Sequence, residues 1–210
     1  MALSILCPAM PDGPRSWIRF GVLCGAIGLG AWLRLRGLSE LPLHGDEYHT
    51  LLAADGSTGS ILTTFDAVGS HVALPLLQKL SLDVFGAGIV PFRLVAIVPG
   101  LLLLCLAYPL LRAFVSADAA ALAGAALALD PMVVYYARFA RGYGLALLLA
   151  LVLGWAVRRV LDPAGRDGRT WGALVAAGAL LPWVHLSTLG FVLAVALAAL
   201  ALALRESRAL

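Results

Sequence analysis

Long uncharged stretches alternate with short polar intervals along the whole chain. Residues 17–35, 94–111, 119–137 and 142–157 are apolar runs of roughly the 17–25 residues a helix needs to cross the ~30 Å hydrocarbon core, the last falling slightly short. Residues 171–204 carry no formal charge beyond His185, and as one helix they would extend for ~50 Å. Two shorter spans, 171–184 and 187–204, meeting near residues 182–187, fit a bilayer better. The pattern therefore predicts an all-α, polytopic membrane protein of about six transmembrane helices, with residues 17–210 as its transmembrane domain.

The interval from residue 36 to residue 93 is the longest without a span. Inside it, Ala73–Phe85 is apolar but interrupted by Gln78, Lys79 and Asp83. It is too short and too charged to cross, and reads as a helix lying in the membrane interface within an extracytoplasmic loop. Residues 1–16 contain Pro8, Pro11 and Pro14 and read as a short cytoplasmic tail. The small residues Gly28-Leu29-Gly30-Ala31 would suit a signal-peptide cleavage site, but the apolar stretch around them is long for a signal core, which favours an uncleaved anchor.

Composition agrees with that pattern. Apolar residues make up 61% of the 210-residue chain and the mean hydropathy is +0.94, beyond the roughly half expected of soluble domains. The net charge of +3 arises from 14 Arg and one Lys against 12 acids. Many of the arginines sit at span ends, where they anchor and orient helices, so the charge gives no nucleic-acid signal. Cys7, Cys24 and Cys105 are widely spaced and define neither a disulfide framework nor a metal motif.

Charge also predicts orientation. With the N-terminus cytoplasmic, nine cations fall inside and six outside, a modest excess in the positive-inside sense. Arg138 and Arg141 then lie outside, on the same side as Asp46 and Glu47. Cations held there against the rule point to an anion.

Four places carry candidate chemistry. In Gly45-Asp46-Glu47-Tyr48-His49, one carboxylate can act as a general base while its neighbour tunes it. The competing explanation is local: Asp46 as an N-cap and Glu47 in the first turn of a helix running to about Ala54 and stopped by Asp55-Gly56. Arg138 and Arg141, three apart within Tyr135-Tyr136-Ala137-Arg138-Phe139-Ala140-Arg141-Gly142-Tyr143, share a face if helical and suit a phosphate. Snorkelling arginines with an aromatic belt would leave the same trace. Asp130 is an acid inside an apolar run, either functional or wet ahead of a bend at Pro131. His71 and His185 are weak candidates for a divalent metal, and isolated histidines are more commonly polar interface residues.

These motifs together resemble the polytopic GT-C glycosyltransferases that use polyprenyl-phosphate sugars, including protein mannosyltransferases and aminoarabinose transferases. Arg34-Leu35-Arg36-Gly37-Leu38 and Leu43-His44-Gly45-Asp46-Glu47-Tyr48 look like their first span end and first loop. His71-Val72-Ala73-Leu74 stands where the family has His-Pro-Pro-Leu, and Leu129-Asp130-Pro131 is similar to an element of the aminoarabinose branch. The Tyr135–Tyr143 segment resembles a family Tyr-Tyr-Ser-x-Glu-Ala-Arg-x-Tyr element, with Phe139 in place of the Glu. The likeness covers about residues 20–205 and corresponds to the N-terminal part of such enzymes.

The resemblance implies inverting transfer of a sugar from a polyprenyl-phosphate donor to an extracytoplasmic lipid, glycan or protein acceptor, in a bacterial inner membrane. Asp46 would be the base and Glu47 its secondary partner, while Arg138, Arg141, Tyr143 and Asp130 would hold the donor. A transporter or flippase component and a non-catalytic assembly partner remain the two other classes open to a chain of this kind.

Overall fold

A computed structural model describes residues 13–63 and 72–208 of the chain, with side chains throughout except at residues 203 and 205–208. Among the described residues the protein is all-α. In chain order the helices are α1 (Pro14–Leu35), α2 (Gly45–Ala54), α3 (Thr58–Thr63), α4 (Ala73–Phe85), α5 (Ile89–Leu111), α6 (Ala117–Leu129), α7 (Pro131–Arg138), α8 (Tyr143–Leu161), α9 (Gly168–Val184) and α10 (Leu189–Arg208). Single 3₁₀ turns at Pro163–Gly165 and Leu186–Thr188 precede α9 and α10.

Three of these helices, α1, α5 and α8, are long and apolar enough to cross a membrane. The run at residues 119–137 is broken into α6 and α7, which pass the same test only as a pair bent by 53°. Local chemistry explains the bend. Pro131 has no N–H, and the Asp130 carboxylate accepts the N–H groups of Met132 and Val133, both at 2.9 Å, so α7 starts afresh with Asp130 as its cap. That restart strips the carbonyls of Leu127 and Ala128 of their i+4 donors. Arg34 replaces them: Nη1 donates to Ala128 O (2.7 Å) and to Gly30 O (2.9 Å), and Nη2 donates to Leu127 O (3.3 Å). A fully buried guanidinium thus closes a backbone gap opened by a proline 97 positions further along the sequence.

Helix α5 is the central element, packed against α1, α4, α6, α7 and α8, while α9 lies on α8 and α10 lies at the edge against both. Close approaches at glycines fix the spacing of α1, α5, α6 and α7. A Cβ on Gly30 would meet the Ala128 carbonyl oxygen at 2.7 Å, and one on Gly100 would meet the Ala137 Cβ at 2.6 Å. Gly100→Ala should therefore force α5 and α7 apart and cost about 1–3 kcal/mol, the usual effect of overpacking. Gly28→Ala, whose Cβ meets nothing within 4 Å, is the matched control. Thermal unfolding in detergent should separate the two variants, with equal midpoints contradicting the close approach.

Helix α4 occupies the residues expected of it, but its polar interruptions do not all face out. Gln78 is fully buried and donates from Nε2 to the Ala140 carbonyl (3.0 Å), and Ser81 donates to the Pro91 carbonyl (2.6 Å). The opposite face carries exposed Leu77, Leu80 and Val84. Lys79 pairs with Asp83 one turn on, at 3.7 Å.

Candidate functional site

The first turn of α2 is where the separated motifs meet. The chain leaves α1 through Gly37, whose φ of +56° is cheap only for glycine, and reaches α2 by an extended residue, His44. His44, and not Asp46, is the N-cap; the helix begins at Gly45, two residues before the sequence predicts. Asp46 and Glu47 are consecutive in that first turn, so about 100° of rotation separates their side chains. One turns into the protein and the other does not.

Glu47 is the buried one, with no accessible surface. Its Oε1 accepts from Arg93 Nε (2.9 Å) and from the Ala140 N–H (2.9 Å). Its Oε2 accepts from Arg93 Nη2 (2.8 Å) and from the His44 N–H (3.2 Å). Arg93 is equally enclosed. Its remaining donors go to the carbonyls of Leu38 (2.9 Å) and Leu41 (3.1 Å) from Nη1 and of Pro42 (3.0 Å) from Nη2. All five N–H groups of the guanidinium and both oxygens of the carboxylate are thus engaged. This bidentate pair ties the loop after α1, the start of α2, the start of α5 and the α7–α8 link into one clamp.

Burial alone would raise the Glu47 pKa. The Arg93 hydrogen bond, the Ala140 and His44 N–H groups and the Arg93 charge outweigh that and hold it below its ordinary value. A lowered folded pKa contributes stability that is complete above the unfolded carboxyl's value of about 4.5 and is lost as pH falls through the folded one. Acid titration should therefore leave the fold unchanged down to about pH 4.5 and destabilise it below, and Glu47→Gln should lose part of that acid dependence. An identical acid profile in the variant would contradict the pairing.

Asp46 is exposed, and its carboxylate has no hydrogen-bond or ion-pair partner among the described residues. Beside it lies Arg141, only 6% exposed, with Nη1 3.0 Å from Thr50 Oγ1 and 3.4 Å from the Asp46 carbonyl. Thr50 in turn donates to that carbonyl at 2.9 Å. The link carrying Arg141 is fixed from both sides, its Ala140 N–H by Glu47 and its Ala140 carbonyl by Gln78. A chain of rings continues from there. Tyr136 and Tyr143 lie 4.4 Å apart, Tyr143 and His185 5.1 Å, and His44 packs on Phe139 at 5.9 Å. Burial first and then the nearby Arg141 charge lower the His185 pKa, and its Nδ1 is hydrogen-bonded with Ser187 Oγ at 2.8 Å.

Arg138 and Arg141 do not share a helix face. Helix α7 ends at Arg138 and Phe139 is extended (φ −92°, ψ 122°), so the spacing of three does not act as a helical one. Arg138 instead reaches the Arg36 carbonyl (2.6 Å) and lines a cavity of about 380 Å³ with Leu33, His44, Val134, Tyr135 and Phe139. That cavity is a largely apolar recess whose wall also includes Arg93, and His44 brings it to the start of α2.

The link at residues 140–141 thus touches both Glu47 and the Asp46 turn, and Arg141 lies near enough to His185 for its charge to act there, with Tyr143 packed on the His185 ring. Asp130 is occupied in capping α7, and His71 lies outside the described residues. No group of three or more His, Cys, Asp and Glu able to hold a metal occurs among the described residues. Arg93, Thr50 and Gln78 were not legible as site residues. Arg93 reads as an ordinary cation at a span boundary, and no local pattern links it to a carboxylate 46 residues earlier. No protein-family model, curated protein or solved structure matches the chain.

Proposed function

We propose that the protein is a membrane glycosyltransferase that moves a sugar from a polyprenyl phosphate to an acceptor outside the cytoplasm. The observation carrying this is the exposed Asp46 carboxylate, without a side-chain partner among the described residues, held on a turn that a buried ion pair fixes, with Arg141 packed against the same turn. A base needs such a free, positioned proton acceptor. Asp46 would take the proton of the acceptor hydroxyl. That oxygen would bond to the anomeric carbon from the face opposite the phosphate, and the bond from that carbon to the phosphate oxygen would break, with inversion. Arg141 would meet the charge developing on the leaving phosphate.

The apolar cavity with Arg138 in its wall offers the polyprenyl phosphate a place of the right chemistry. Asp130 caps α7 through one carboxylate oxygen, which accepts two backbone N–H groups, and Glu47 serves as the clamp. In this reading the 17-residue α9 and the apolar part of α10 complete six crossings of a bacterial inner membrane, with the N-terminus cytoplasmic. A transport role finds less support: Arg34, buried among the helices, is engaged by backbone carbonyls and offers no relay.

Two experiments test this. Polyprenyl phosphate binding to the purified protein should weaken roughly ten- to a hundredfold in Arg138→Ala, the worth of one charge-assisted hydrogen bond, and lysine should restore it poorly if the contact is bidentate. Unaltered affinity would remove Arg138 from the donor site. For orientation, single cysteines at the exposed Ser57 and Gly168 positions, in a background without the native thiols, should differ in intact cells. An impermeant reagent should label the Ser57 position and spare the Gly168 position; the reverse would invert the topology.

A further inference from the structure

A second recess lies away from that site, between α8, α9 and α10. Its volume is about 540 Å³, and Leu153, Val157, Leu174, Gly178, Val195 and Ala199 make up much of its wall. Arg166 is the charged residue in the lining. The wall is open at the side, since the lining residues Trp171 and Leu200 are 46% and 55% exposed. Along α8 the recess extends from Leu153 to Leu161, about 12 Å of helix, most of the ~15 Å depth of one leaflet.

We infer that this groove holds one acyl chain of an anionic phospholipid, with the lipid phosphate on Arg166. Volume and lining suit an alkyl chain: the space lies within the range of ordinary ligand pockets, ~300–1,000 Å³, and is apolar apart from one end. That end supplies the charge. Arg166 donates from Nε to the Val160 carbonyl at 2.8 Å, which fixes the side chain and leaves both terminal nitrogens without a partner among the described residues. Around it, residues 158–170 carry Arg158, Arg159, Arg166 and Arg169 against Asp162 and Asp167, an excess of two positive charges. Both aspartates are already engaged as caps, accepting from Ala164 N–H (3.1 Å) and Thr170 N–H (2.7 Å). Neither is hydrogen-bonded or ion-paired with Arg166.

An arginine held at the rim of an apolar slot presents planar donors to a phosphate. The surrounding positive excess favours a headgroup with net negative charge over a zwitterionic one. The inference rests on the helices being in a membrane and is independent of any sugar-transfer activity.

Trp171 provides the readout. The full chain in detergent is titrated with phosphatidylglycerol or phosphatidylcholine carrying brominated acyl chains, and quenching of Trp171 is taken as the difference between the parent and Trp171→Phe. Phosphatidylglycerol should quench at a concentration at least roughly tenfold lower than phosphatidylcholine, the effect of one charge-assisted hydrogen bond plus the local field. Arg166→Gln should erase that preference and keep the weaker, chain-driven quenching. Ala199→Phe, at a partly buried wall position, should fill the slot and reduce quenching by both lipids. Equal quenching by the two lipids in the parent, or a preference that survives Arg166→Gln, would overturn the assignment. So would a Trp171 shielded from both lipids in a protein running as a dimer, which would make the groove a contact between copies.

Discussion

Asp46→Asn should leave the protein folded and cut sugar transfer by at least the ~100-fold typical of general-base catalysis. The two halves of that expectation have separate causes. Asp46 sits in the first turn of α2 but is not its cap, and its carboxylate has no side-chain partner among the described residues. Replacing it removes only a favourable charge near the helix N-terminus, worth about 0.3–1 kcal/mol at an exposed position. Asparagine has nearly the same shape yet cannot take a proton at neutral pH, so only the chemistry should suffer. The measurement is transfer from a polyprenyl-phosphate sugar by a preparation whose melting temperature matches the parent. Full turnover by such a preparation would end the assignment of Asp46 as the base.

Glu47→Gln should do the opposite, with a loss of stability as its main effect. The substitution keeps the shape of the side chain but leaves the Arg93 charge buried without a counter-charge, and it turns an amide NH₂ toward N–H donors that now have nothing to meet. Breaking one partner of a buried pair costs about 3–5 kcal/mol, a large share of the roughly 5–15 kcal/mol that holds a typical domain together. Replacing both members, Glu47→Leu with Arg93→Met, should cost less than the two single changes combined, because no isolated charge remains, with a coupling of about 0.5–3 kcal/mol. Thermal unfolding in detergent reads the parent, Glu47→Gln, the two single changes and the double. A Glu47→Gln protein that melts like the parent while losing transfer would return Glu47 to the chemistry and dismiss the clamp.

Adjacent carboxylates of nearly the same chemistry thus take opposite positions, Glu47 buried and paired and Asp46 exposed, and nothing in Gly45-Asp46-Glu47-Tyr48-His49 says which is which. A helix turns about 100° per residue, so one neighbour must face away from the other. Which one faces inward depends on where Arg93 and Ala140 arrive. Arg138 and Arg141 teach the same lesson. Their spacing promises a shared face only while the helix continues, and it stops at Arg138 because the Phe139–Arg141 link is drawn across to Glu47 and Gln78.

The sequence by itself determined the local features of this protein. Uncharged runs long enough to cross a bilayer, cut by glycine, proline and arginine, made it all-α and marked most helix ends. Asp130-Pro131 bent the third run because a proline lacks the N–H its helix needs. Tertiary structure alone decided which faces turn inward. Lipid and protein interior are equally apolar, so helices apolar enough to cross a membrane need carry little hydrophobic asymmetry from which an inner face could be read. It also decided the partners of the buried charges: Arg34 with carbonyls 93 and 94 residues away, and Arg93 with Glu47 46 residues before it. Those partners are chosen by the need to satisfy every polar group withdrawn from water. That need becomes specific only when the helices are side by side.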